Sequence, residues 1–246
     1  MNRSFTKDQP TAIRRGPRPA PGRLAAIAEA AARVFTRQGF RLSQVADVAR
    51  EAGVAAGTVY LYAADKAALL DLAIRVAGGL RLPAGDGPVR ADLDAVLAEA
   101  LGPRLALPRM QAVAAGDPDC AATLRDIAGE LYDLLAREAR LILLLDRLGA
   151  EVPEISAAYG TRLRARALKD FTRAIRQLAI RGDVRTDLEP ELAARAVLEM
   201  IAWMAMRRPG NSTPPAGDEA LARETTIRLA EAALTPDRRP PSRIGR

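Results

Sequence analysis

Apolar residues recur at three- and four-residue spacing almost from end to end of this 246-residue chain, and no segment alternates apolar with polar convincingly enough for a half-buried strand. A chain patterned this way buries its apolar side by packing helix on helix, so the expected fold class is all-α. The first stripe, Leu24, Ile27, Ala28, Ala31, Val34 and Phe35, predicts a helix over 24–38 that ends at Gly39, a residue suited to a left-handed cap. Ser43 is placed to cap a second helix, with Val45, Val48, Ala49 and Ala52 inward, that stops at Gly53. Val54 begins a tight turn into a third helix of about seven residues. Asp65 then caps a fourth, with Leu69, Leu70, Ala73 and Ile74 inward, that runs out at Gly78-Gly79.

Short helices separated by a glycine turn predict a helix-turn-helix unit, in which the first helix props the pair and the third enters the major groove of DNA. The third helix fits that use. Only Val59 needs to face the core, while Ala55, Ala56 and Gly57 let the backbone approach a groove closely. In a chain with 4% aromatic residues, Tyr60 and Tyr62 stand two apart here. Their hydroxyls, on rigid stems, are suited to phosphate contacts or to a thymine methyl.

Beyond Gly78 the run GGLRLPAGDGPVR reads as a linker, and helices are expected at 91–101, 104–115, 119–149, 153–181, 190–207 and 218–234. The segment Ala196–Met206 carries a single charge, Glu199, in eleven residues. A helix apolar on nearly every side needs a second surface to cover it, and a two-fold partner would supply one. The expected organisation is a basic arm at 1–21, a three-helix DNA-binding domain at 22–78, a helical ligand-binding and dimerisation domain at 79–235, and a basic tail at 236–246.

Charge and composition narrow the function classes. The net +7 sits in the ends: residues 1–23 hold six basic side chains against Asp8, and 236–246 hold four arginines against Asp237. Basic arms beside DNA-reading helices commonly run along phosphates or into grooves. With no histidine and the lone Cys120, the chain has no internal disulfide, no Ser-His or Cys-His pair and no ordinary zinc site. No spacing of Asp and Glu nominates an acid–base pair either. No catalytic residue, metal or cofactor is therefore assigned. No apolar run approaches the roughly 18 residues of a membrane span, and no apolar core follows the basic N-terminal residues, so a cytoplasmic location is expected.

The helix ending in Gly39-Phe40, VADVAREAGV (Val45–Val54), GTVYLY (Gly57–Tyr62), and Lys66 followed by Leu69 together resemble the TetR/AcrR family of bacterial transcriptional regulators over about residues 22–75. The resemblance implies a homodimer, joined through its C-terminal helices, that binds a double-stranded, palindromic DNA operator and is released by a small-molecule effector. By position it implies that Ser43 and Gln44 contact the backbone, that Ala56, Gly57 and Thr58 lie at base edges, and that Tyr60, Tyr62 and Lys66 anchor phosphates. Ala55 stands where the family usually has a capping serine, and Ala63 where it usually has a packed phenylalanine. For a hydrophobic effector the resemblance implies a pocket inside the C-terminal helices, with Met110, Cys120, Tyr132, Tyr159, Phe171 and Trp203 as candidates for its apolar wall. Arg104, Arg140 and Asp146 are the candidates for a polar contact. An activator, or a nonspecific nucleoid-type DNA binder with the same fold, stands as the alternative.

Overall fold

The computed structural model describes residues 22–84, 87–210 and 217–236, so the expected basic arm at 1–21 and residues 237–246 of the tail lie outside the described residues. Among the described residues the fold is all-α, and Ala63 and Val89 form an isolated bridge.

Helix α1 (Arg23–Gln38) ends where its sequence predicts, though not in the left-handed helical conformation expected of its cap. Gly39 takes φ 82°, ψ 174° and donates its amide to the Phe35 carbonyl at 2.9 Å. From Ile27 on, the inward stripe of α1, including Val34 and Phe35, is buried and packs on α4 (Lys66–Ala77), while Leu24 is half-buried. Burial of each such side chain stabilises the pair by about 1.5–3 kcal/mol. Asp65 caps α4, accepting the Ala68 amide at 2.8 Å. Between them lie α2 (Val45–Glu51) and α3 (Ala56–Val59).

Two further local expectations need correction. The residue that caps α2 is Gln44, whose amide donates to Asp47 Oδ2 at 2.8 Å. Ser43 turns inward instead, buried, with its hydroxyl donating to the Gly39 carbonyl. Helix α3 is one turn long, where about seven residues were expected. Its cap position, Ala55, offers no side-chain acceptor, and the chain beyond it leaves the helix to pair with an extended segment. Val89 donates to the Tyr62 carbonyl at 2.8 Å, and Ala64 donates to the Val89 carbonyl at 2.9 Å.

The remaining helices are α5 (Leu93–Ala100), α6 (Pro108–Ala115), α7 (Leu124–Arg137) and α8 (Ala139–Leu148). Helix α9 (Pro153–Ile155) continues through a π-helical stretch, Ser156–Arg164, into α10 (Ala165–Ile180). Helix α11 (Pro190–Ala202) closes in a second π turn, Trp203–Arg207, and α12 (Glu219–Leu234) follows.

The single helix expected over 119–149 is two helices, α7 and α8, broken at Glu138. That residue leaves helical geometry (φ −99°, ψ 12°) and buries its carboxylate between Arg104 Nη2 at 2.5 Å and Arg137 Nε at 3.0 Å. Apolar periodicity continues on both sides of the break, and for that reason the pattern alone reads as one helix.

Helix α8 is the shelf on which the N-terminal helices rest. Arg140 pairs with Glu29 of α1 at 2.6 Å, and Arg147 donates to the Gln38 carbonyl at 2.7 Å. The buried Asp71 of α4 accepts from Arg75 at 2.7 Å and from the Asp92 amide at 3.1 Å, fastening the connecting segment to α4.

Candidate nucleic-acid interface and interior cavity

The α2–α3 pair has the division of labour that its sequence predicts. Val48, Ala49 and Val59 are buried, whereas Gln44, Ala55, Ala56 and Gly57 are exposed and Thr58 is half-buried. Tyr60 is 51% exposed. Tyr62 is 7% exposed and belongs to the core, which corrects the expectation that both rings stand on the outer side. On the helix of about seven residues that the sequence predicts, side chains two apart point in nearly opposite directions, so that expectation already separates the two rings; in the structure both lie in the turn that follows α3.

Lys66 is also less free than a phosphate anchor at a bare surface. Its Nζ lies 4.5 Å from the centroid of the Phe40 ring and 3.4 Å from the Arg41 carbonyl. Burial lowers its pKa below the usual lysine value, against the opposing charges of Glu151 and Asp47. Ser43, buried, has no side-chain surface for DNA. Sequence inspection passed over Leu42, 78% exposed next to this turn, and Leu61, 45% exposed next to Tyr60.

A cavity of about 290 Å³ lies among α7, α8, the first π stretch, α10 and α11. Its walls are mostly aliphatic, with Leu131, Leu134, Leu135, Ile142, Leu198 and Met206 prominent. Of the nine side chains expected at an effector pocket, Asp146, Tyr159 and Trp203 line it. The other six stand elsewhere. Met110 and Phe171 are fully buried packing residues, and Cys120 is half-buried outside this cavity. Tyr132 donates to Glu219 at 2.6 Å, and burial, reinforced by that carboxylate, pushes its pKa up to about 12. Arg104 bridges Glu138 and the Gly78 carbonyl, and Arg140 holds Glu29. Both arginines serve contacts between helices that sequence cannot pair.

Asp146 does line the cavity, at the centre of a polar group. It accepts from Tyr159 at 2.8 Å, from Arg164 at 3.3 Å and from Arg207 at 3.5 Å, while Arg164 also reaches Glu199 at 3.0 Å. Burial, then the Asp146 charge, raises the Tyr159 pKa, so its hydroxyl stays a donor at neutral pH. Burial works against the charge on Arg164, but the carboxylates of Asp146 and Glu199 outweigh it and keep the guanidinium ionised. Glu199 is the lone charge noted in Ala196–Met206, and a single carboxylate in an apolar helix is the sequence signal for this group. Among the described residues no group of three or more Cys, Asp or Glu could hold a metal ion, and no helix is long and apolar enough to cross a membrane.

Residues 27–73 match the family model of bacterial regulatory proteins, tetR family. The chain is similar in fold to the ketosteroid transcriptional regulator KstR2 of Mycobacterium tuberculosis, with a TM-score of 0.54 and 18% identity, over 91% of this chain and 100% of that one. SmeT, the repressor of the Stenotrophomonas maltophilia multidrug efflux pump SmeDEF, is similar with a TM-score of 0.44 and 17% identity, over 91% of this chain and 96% of that one. Comparison with curated protein sequences gives no match.

Proposed function

We propose that this chain, whose N-terminal domain belongs to the tetR family of bacterial regulatory proteins, is a sequence-specific repressor that binds a palindromic operator as a homodimer. It leaves that operator when a small apolar effector enters the interior cavity. The observation that carries this reading is the α2–α3 element itself. Its inner face is closed by Val48, Ala49 and Val59, and its outer face presents Gln44, Ala55, Ala56, Gly57 and Tyr60 to solvent. Small residues at the front of α3 suit close approach to base edges, and Tyr60 suits a flanking phosphate.

The surface of the C-terminal helices supports a second copy. Leu192 of α11, Trp203 of the π turn that closes it, and Leu221 and Leu229 of α12 are exposed apolar side chains on the C-terminal helices. A two-fold partner that covers them would hold two α3 helices about 34 Å apart, one turn of duplex. Helix α8 offers the mechanical link. Ile142 and Asp146 line the cavity, while Arg140 and Arg147 of the same helix hold α1. An effector that prefers a different setting of α8 lowers operator affinity by its differential binding energy. The site of action is the cytoplasm, where the DNA is, and the chain acts by binding without catalysis.

The test is selection of binding sequences from a library of random duplexes with the full chain, together with sedimentation of the complex. Selected sequences should converge on an inverted repeat with half-sites about ten base pairs apart, bound by a dimer. Failure to converge, or binding by single copies, overturns the reading.

A further inference from the structure

A basic groove lies beside the cavity and shares two of its wall residues, Arg164 and Leu198. It runs between α10 and α11 and includes Lys169, Arg173 and Arg176, spaced four and three residues apart on one exposed face of α10. These three cations span about 10 Å of helix. Among the described residues none of the three has a carboxylate within ion-pair distance, unlike Arg164 and Arg195 of the same groove. Like charges at this spacing repel, so the row weakens the helix unless an anion lies along it. The acid that lines the groove is Glu191. Arg164 and Arg195 at its inner end already share Glu199, at 3.0 and 3.5 Å.

We propose that the effector is an amphiphile with an apolar body in the cavity and a phosphate-bearing head in the α10–α11 groove, passing Arg164 between them. The inference rests on the cavity being the effector site. One carboxylate would satisfy one arginine, whereas three unpaired cations in a row suit a head with several negative oxygens. Arginine forks also match phosphate geometry bidentately. The two compartments adjoin at Arg164 and Leu198, the side chains they share, with Arg164 held by Asp146 and Glu199 at the boundary. An isoprenoid diphosphate and an acyl thioester of coenzyme A both have this chemistry.

Calorimetric titration of the full chain with geraniol, geranyl diphosphate, octanoyl-coenzyme A and pyrophosphate separates the possibilities. At least one phosphate-bearing amphiphile should bind about tenfold or more tighter than geraniol, with pyrophosphate weaker than either amphiphile. The Lys169→Glu/Arg173→Glu variant should lose that gain and keep its geraniol affinity within about twofold. The Ala202→Phe variant, which fills the cavity, should lose geraniol as well. Absence of the gain, its survival in the charge-reversed variant, or dissociation of a dimer by that variant overturns the phosphate-head assignment while the cavity reading stands. If no probe binds, or if Ala202→Phe leaves geraniol binding intact, the cavity reading falls and this inference with it.

Discussion

Glu151 accepts the backbone amide of Arg41 at 2.7 Å across 110 residues of sequence. The corner after α8 therefore holds the turn that leads into α2. Arg147, paired with Glu151 at 2.6 Å, donates to the Gln38 carbonyl beside it, and together the two side chains fill the space outside Gly39. At φ 82° that glycine is both conformationally required and sterically enclosed. Gly39→Ala should destabilise the protein by about 1–3 kcal/mol and displace the Arg147–Glu151 pair, as read by urea denaturation.

The same contact predicts a pH dependence. The Arg41 amide, and after it Arg147, hold the Glu151 carboxyl below its ordinary value of 4.5 against the opposing effect of burial. A carboxyl lowered in the folded state stabilises the fold above its unfolded value, and that contribution is lost as pH falls through the lowered one. Glu151→Gln should melt about 2–4 °C lower than the parent at neutral pH. The gap should shrink progressively as the buffer is acidified below the ordinary carboxylate value. A gap that is constant with pH contradicts the assignment.

Tyr60 and Tyr62 should separate binding from stability. Tyr62 is core, so Tyr62→Ala should cost about 3–5 kcal/mol of unfolding free energy. Tyr60→Ala should change stability by less than about 0.5 kcal/mol and weaken operator binding roughly tenfold across sequences. Gel-shift titration beside thermal melting checks both.

Glu138, with its side chain 1% exposed, joins Arg104 and Arg137 at the break between α7 and α8. Removing one member of a buried ion pair leaves the other charge uncompensated. Glu138→Ala should therefore cost about 3 kcal/mol, measured by chemical denaturation, whereas the double variant with Arg104→Ala should recover part of that loss.

What was legible in the sequence was local. The α1 stripe, the Gly39 cap, the Asp65 cap and the inward Val59 are all consequences of residues within one or two turns of each other. The misplacements share a different origin. Arg104 and Arg140 were plausible pocket groups until Glu138, Gly78 and Glu29 were known to lie beside them, and those neighbours come from other helices. The break at Glu138 and the inward turn of Ser43 likewise depend on partners that periodicity does not register. Tyr62 is a partial exception: on the longer helix that the sequence predicts it would stand opposite Tyr60, whereas in the structure both lie in the turn after α3.

The central claim is that the outer face of α2 and α3 reads DNA. Hydrogen exchange of the full chain, with and without its selected duplex, tests it most directly. Residues 42–61 should gain protection on binding, with the α10 groove unchanged. Protection absent from 42–61 and concentrated on α10 would contradict the account.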